Sequence, residues 1–157
     1  MKMKLLERVK WMLGQVNYTE FEKALISAVM AELSPADRAI LSDQLARMTR
    51  VERSFADDLR MRYGYTELYC MRGGRAINNA FPLRFQTATM ESELARVLVW
   101  DGDNSIEARL MLVNGGLFQI QYYSPSRVWY PRSGYRIQSV TLCLDKQTPA
   151  QSTADER

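Results

Sequence analysis

The chain has 157 residues, 46% of them hydrophobic and 25% charged, and its net charge is +3, which suits one soluble domain with a sizeable core. It contains no histidine, so the commonest general base, the commonest metal ligand and histidine-activated nucleophiles are excluded. No apolar run is long enough to span a bilayer and no secretory signal is recognisable, so we expect a cytoplasmic protein without membrane contact.

The first third of the chain predicts three amphipathic helices. Residues 2–13 place their large apolar side chains on one stripe. A second helix begins at Thr19, which forms a capping-box pattern with Glu22. A third begins at Ser34, a favourable N-cap that is followed by Pro35 at the first helical position.

Residues 49–63 fit two interpretations. Their apolar residues keep a helical spacing, which would let the third helix continue. Leu59, Met61 and Tyr63 also alternate with arginines, which is the period of a half-buried strand. We favour a break near Thr49 and a strand over residues 58–63.

The rest of the chain predicts strands joined by glycine-containing turns. Asp101–Asn104 and Asn114–Gly116 are typical hairpin turns, so the strands on either side should be antiparallel. The predicted strands are Thr66–Met71, Leu94–Trp100, Ile106–Val113, Leu117–Tyr123 and Tyr135–Leu144. The expected fold is α+β, with an N-terminal three-helix segment packed on a C-terminal antiparallel β-meander of about four to six strands. Residues 1–145 would form a single domain, and residues 146–157 a disordered polar tail.

Four local patterns resemble chemical motifs, but each has a simpler structural interpretation. Asp101 to Glu107 resembles the start of a calcium loop, yet the required glycine and final glutamate are missing. Arg72-Gly73-Gly74-Arg75 favours a glycine turn over a phosphate cradle. The adjacent Asp57 and Asp58 suit ion pairing with nearby arginines, and Cys70, like Cys143, suits a reduced core thiol. We therefore predict no catalytic residue, metal site or cofactor.

The strongest candidate for a binding surface is a segment without acids. From Ala108 to Leu144 there is no Asp or Glu, whereas arginines and aromatic residues are frequent. Trp, Tyr and Arg are enriched at interface hot spots, and two prolines stiffen the loop between the last two strands. The alternative is that Trp129 and Tyr130 fold back and close the end of the sheet. The predicted partner-binding residues are Tyr122, Tyr123, Arg127, Trp129, Tyr130 and Arg132.

Three classes of function remain open, in this order. The first is a non-catalytic protein-binding module, such as an adaptor, a toxin-neutralising protein or a regulatory protein, whose partner presents an acidic or flat surface. The second is a nucleic-acid binder that uses arginines and exposed aromatic rings on the sheet, although a net charge of +3 is small for that role. The third is an enzyme that works without histidine. The oligomeric state is not predicted.

Overall fold

The structure is a computed structural model that describes residues 16–55, 63–77, 80–102, 104–123 and 134–144. Within these ranges two helices precede a six-stranded antiparallel sheet and a small two-stranded hairpin, which confirms the α+β class. The elements are α1 (Glu20–Glu32), α2 (Pro35–Arg47), β1 (Arg50–Phe55), β2 (Tyr63–Tyr69), β3 (Met71–Arg72), β4 (Arg75–Ala76), β5 (Glu91–Trp100), β6 (Ser105–Val113), β7 (Gly116–Tyr123) and β8 (Arg136–Leu142).

The helical segment differs from the prediction in number. The described residues contain two helices rather than three, and the helix predicted over residues 2–13 lies outside the described part of the chain. The predicted tail, residues 146–157, also lies outside it. Both observed helices begin where the capping signals predict, because Thr19 accepts a hydrogen bond from the Glu22 amide and Ser34 accepts one from the Asp37 amide.

The sheet is not a simple meander. Its strand order is β1-β2-β7-β6-β5-β8, so β5, β6 and β7 follow one another through hairpins, but β8 then returns to pair with β5. Three hairpin-connected strands with the fourth beside the first form a Greek key. The meander prediction is therefore wrong for the last strand, since β2 occupies the edge of β7 that β8 would need in a meander.

The break between helix and strand is confirmed near Thr49, because α2 ends at Arg47 and β1 begins at Arg50. The strand Arg50–Phe55 was not predicted, since charged and polar residues rather than apolar ones dominate it. Of the strand predicted over residues 58–63, only Tyr63 lies within the described residues, where it opens β2.

Both helices pack against one face of the sheet, which we call the inner face: α1 contacts β5 and β8, and α2 contacts β7. Strand β6 alternates strictly between buried and half-buried residues, as expected when one sheet face is covered. The core is formed by fully buried aliphatic side chains from helices and strands, among them Leu25, Val29, Leu41, Val97, Ile106, Leu110 and Ile120. The opposite face, called the outer face below, has no helix on it among the described residues.

Candidate functional site

The structure separates the two predicted site residues that it describes. The Tyr122 side chain is fully buried on the inner face, where its ring packs 6.0 Å from that of Phe21. Tyr123, the next residue, is half-buried on the outer face. Adjacent residues of a strand point to opposite faces, so only Tyr123 contributes to a surface here. Predicted site residues that lie outside the described residues are Arg127, Trp129, Tyr130 and Arg132.

The inner face holds a buried polar network beneath the start of α1. Glu22 is fully buried and accepts two hydrogen bonds from the Arg53 guanidinium, at 2.8 and 2.7 Å. Its carboxylate also accepts the Thr66 hydroxyl at 2.9 Å and the Thr19 amide at 2.8 Å. Thr66 in turn shares a 3.0 Å hydrogen bond with the Tyr122 hydroxyl. We call Glu22, Arg53, Thr66 and Tyr122 the inner network.

Tyr18, a neighbour of the inner network, differs from its members in its hydrogen bonding. The Tyr18 hydroxyl is buried and has no hydrogen-bond partner among the described residues. Burial, and next the charge of Glu22, raises the pKa of Tyr18 well above its ordinary value, so the phenol stays protonated at neutral pH. The inner network as a whole ties α1 to β1, β2 and β7.

A second network runs along the outer face of the same strands. The Tyr69 hydroxyl donates to Glu67, and Gln119 donates to the same carboxylate at 3.4 Å. Gln121 donates to the Gln119 side chain at 2.6 Å and accepts from the Tyr123 hydroxyl at 2.9 Å. These β2 and β7 side chains are thus held in fixed orientations by one another.

The same network continues across β6 and β5 through charged groups. The Arg109 guanidinium carbon lies 4.4 Å from the centroid of the Tyr123 ring, and its terminal nitrogen lies 2.6 Å from Glu107. Arg96 lies 3.8 Å from Glu107 and 3.0 Å from Glu93. We call the whole chain of side chains the outer network; its members are Glu67, Tyr69, Glu93, Arg96, Glu107, Arg109, Gln119, Gln121 and Tyr123.

The charges of the outer network nearly cancel. Arg109 belongs to the acid-free segment, but its partner Glu107 precedes that segment by one residue. Glu107, two residues earlier on the same strand, therefore neutralises Arg109, although the segment that contains Arg109 has no acid of its own. The expectation of an acidic partner is not supported by Arg109, whereas the expectation of a flat partner still suits a sheet face.

The outer network also perturbs titratable groups. The hydrogen bond to Glu67, and next burial, raises the pKa of Tyr69 to about 12. Burial opposes ionisation of Glu93, but hydrogen bonds from Arg96 and Cys143 outweigh it and lower the pKa of that carboxyl. Burial, and next the charge of Glu93, raises the pKa of the Cys143 thiol, so the thiolate is disfavoured.

Trp100 was missed by the sequence analysis. It ends β5 opposite Ser105 and Arg136, and 36% of its surface is exposed. Its signal in the sequence is a strand-terminal position that alternates with the core residues Val97 and Val99. The sequence pattern of Leu94–Trp100 predicts a strand and no binding role. The structure adds an exposed tryptophan to the end of the outer face.

The structure shows turns or free thiols at three of the four local sequence patterns that resemble chemical motifs. Asp101 accepts the Asn104 amide at 2.8 Å in the turn between β5 and β6, and Gly73 and Gly74 form the turn between β3 and β4, as predicted. Both cysteines are free: Cys70 is buried, its pKa raised by burial, and Cys143 is half-buried. Asp57 and Asp58 lie outside the described residues.

No helix in the described part of the chain has the length and apolar character needed to cross a membrane. Comparison with known proteins gives no relative for this chain, because no protein-family model, curated protein or solved structure matches it.

Proposed function

We propose that the protein is a non-catalytic protein-binding module that meets its partner through the outer face of the sheet. The observation that carries the proposal is the outer network, which holds tyrosine, glutamine and arginine side chains in place on a sheet face that no described helix covers. Side chains that are already ordered lose little conformational entropy on binding. Such a surface suits a folded partner with a flat face.

The charge balance favours a protein over a nucleic acid. Both arginines of the outer network, Arg96 and Arg109, lie within 4 Å of a carboxylate, so a phosphate backbone would have to compete with existing partners. Protein surfaces that bind nucleic acid typically carry clustered Lys and Arg side chains that are free to contact phosphates, because neutralising phosphates supplies most of the affinity. Nucleic acid remains the alternative that the experiment below must separate from protein.

Trp100 supplies a candidate anchor for this surface. Tryptophan is among the residues most enriched at interface hot spots, and this one is exposed at the end of β5. Tyr123, which lies two strands away on the same face, provides the second aromatic ring. The proposal therefore keeps Tyr123 from the predicted site. Contributions from Arg127, Trp129, Tyr130 and Arg132 stay predictions.

A position-specific cross-linking experiment tests the proposal. In one variant a photoreactive residue replaces Ser139, an exposed residue of β8 that pairs with Leu98 on the outer face. In the control variant it replaces Ser42, an exposed residue of α2 on the helical side. Both proteins are irradiated in cells that produce them, and half of each lysate is treated with nuclease. We expect a discrete protein adduct from position 139 that survives nuclease and is absent from position 42. Equal adducts from both positions, or an adduct lost with nuclease, would contradict the proposal.

A further inference from the structure

A partly open apolar cleft lies at the end of the sheet where β2 ends and β7 begins. Its volume is about 210 Å³, and apolar side chains make up most of its wall, including Leu68, Cys70, Ile77, Phe81, Leu117 and Phe118. Tyr69, Arg84 and Asn114 add polar atoms. Ile77 is 40% exposed, so an apolar side chain is already presented to solvent here.

The wall of the cleft is held rigidly by buried hydrogen bonds. Gln44, fully buried in α2, donates to the Leu83 and Gly115 carbonyls at 3.0 Å each and accepts the Leu117 amide at 2.8 Å. The Phe85 amide donates to the Gly115 carbonyl at 3.0 Å. The chain segment beside the cleft is thereby fixed to both α2 and the turn before β7.

Glycine is required at this turn. A Cβ atom on Gly115 would lie 2.2 Å from the Phe85 carbonyl oxygen, and the φ of +73° is one that other residues rarely adopt. A Cβ atom on Gly116 would lie 2.7 Å from the Phe81 ring, so that ring sits directly on the backbone. The cleft is therefore a preformed feature of the fold.

A basic hairpin borders the cleft. Strands β3 and β4 pair Arg72 with Arg75, both side chains are exposed, and neither belongs to a salt bridge within the described part of the chain. Ala76, which follows Arg75, lines the cleft. Among the described residues, no carboxylate lines it. The hairpin thus contributes Ala76 to the apolar wall and carries two exposed arginines beside it in the chain.

We propose that this cleft binds a peptide segment of a partner protein that carries one large apolar side chain flanked by acidic residues. Small-molecule sites typically enclose about 300–1,000 Å³, so a 210 Å³ cleft suits a single side chain better than a whole cofactor. The apolar side chain enters the cleft, and the acidic neighbours pair with Arg72 and Arg75. Arginine suits this role because its planar guanidinium group can donate two parallel hydrogen bonds to a carboxylate.

The inference rests on the proposed function, since it assigns a second contact to the same binding module. Tyr69 connects the two regions: it lines the cleft, its ring meets Phe118 edge-to-face at 6.3 Å, and its hydroxyl donates to Glu67 of the outer network. One partner can therefore cover the outer face and place a terminal or looped segment in the cleft.

Three synthetic peptides test the inference on the full chain. The first has one tryptophan flanked on each side by two aspartates, the second replaces the tryptophan by alanine, and the third replaces the aspartates by lysines. Affinity is measured by fluorescence anisotropy, at low and high salt. We expect the first peptide to bind at least about tenfold more tightly than either of the others, because it alone carries both the anchor and the charge. High salt should weaken its binding.

Two pairs of variants locate the site. Ile77→Asp places a carboxylate in the cleft and should weaken the first peptide about tenfold, whereas Leu142→Asp, at a similarly exposed aliphatic position in β8 that does not line the cleft, should change its affinity less than about twofold. Arg72→Gln combined with Arg75→Gln should weaken it about three- to tenfold, since rim charges contribute modestly. Arg136→Gln, at the opposite end of the sheet, is the matched control.

Undetectable binding of the first peptide, equal binding of all three peptides, or an unchanged affinity in Ile77→Asp would overturn the inference. The cross-linking from position 139 is measured independently of the peptides. If position 139 gives its nuclease-resistant adduct while the peptides fail, only the cleft inference falls. If the peptides bind as expected while position 139 gives no adduct, the outer-face proposal falls.

Discussion

Two hydrogen-bonded networks lie on opposite faces of the same strands, and they differ in what they can do. Thr66 and Tyr122 of the inner network alternate with Glu67 and Tyr123 of the outer network along β2 and β7. The inner network is closed under α1 and surrounds a fully buried carboxylate. The outer network is half-exposed and holds its charges in nearly balanced pairs.

The two networks should therefore affect different quantities, namely folding stability and binding affinity. A buried charge without its partner carries a large desolvation penalty, so the inner network should govern folding stability. Exposed ion pairs contribute about 0–1 kcal/mol because water and salt screen them. The outer network should therefore govern the shape and affinity of a surface and contribute little to stability.

The largest effect should come from breaking the buried ion pair. Arg53→Met leaves the Glu22 carboxylate buried without its counter-charge, and we expect a loss of about 3 kcal/mol in the free energy of unfolding. This lies at the low end of the usual range because the Arg53 side chain is 28% exposed. Urea denaturation at neutral pH measures the loss. A double variant, Glu22→Met with Arg53→Met, should recover part of it, and a further loss in the double variant would contradict the assignment.

The next effect should separate binding from stability at Trp100. Trp100→Ala is expected to weaken partner binding by about 2 kcal/mol, as truncation of a hot-spot residue does. Because the side chain is partly exposed, the free energy of unfolding should fall by only about 1 kcal/mol. Isothermal titration with the partner identified by cross-linking measures the binding free energy, and a denaturation curve measures the free energy of unfolding. A variant that loses stability but binds normally would remove Trp100 from the surface.

Thr66→Val should lower stability alone. The substitution keeps the shape of the side chain but removes the hydroxyl that joins Glu22 to Tyr122, and we expect a cost of roughly 1–2 kcal/mol. Thermal unfolding monitored by circular dichroism is the measurement. Thr141→Val, at an exposed residue of β8, is the matched control and should shift the unfolding temperature little. A Thr66→Val protein as stable as the wild type would show that this hydroxyl is not needed in the network.

The smallest effect should be a change in titration. The pKa of Tyr69 is raised from 10.0 to about 12, so the stabilisation linked to its neutral form is present below pH 10 and is lost as the pH rises through about 12. Glu67→Gln replaces the carboxylate that accepts this hydrogen bond with a neutral amide and should lower this pKa toward 10. Alkaline titration followed by tyrosinate absorbance measures the shift, with Tyr69→Phe identifying the signal. An identical titration in Glu67→Gln would exclude the contact.

Local signals made the helix starts and hairpins predictable. Thr19, Ser34 and the Asn114–Gly116 turn act through neighbours within three residues, so the sequence alone reveals them. The pairing of β8 with β5 depends on which sheet edge is free, and that is decided by β2, more than sixty residues earlier. A local sequence pattern does not indicate which edge of the sheet β8 will join.

The candidate site was predictable only in part, for two physical reasons. Treating Tyr122 and Tyr123 as one site ignored the alternation of strand residues, which places one of them inside. Considering only the acid-free segment made Arg109 look unopposed, although Glu107, just before that segment on the same strand, pairs with it. Sequence reasoning found an aromatic, arginine-rich region, but the register of β2, β5, β6 and β7 determines which side chains meet.

The most direct measurement compares two adjacent residues of β2 on opposite faces. The dissociation constant for the partner cross-linked from position 139 is determined for Thr66→Val and for Glu67→Lys. We expect Glu67→Lys to raise the dissociation constant at least about tenfold, and Thr66→Val to leave it unchanged within about twofold. Weakened binding in Thr66→Val together with normal binding in Glu67→Lys would contradict the division of the sheet into a stabilising inner face and a binding outer face.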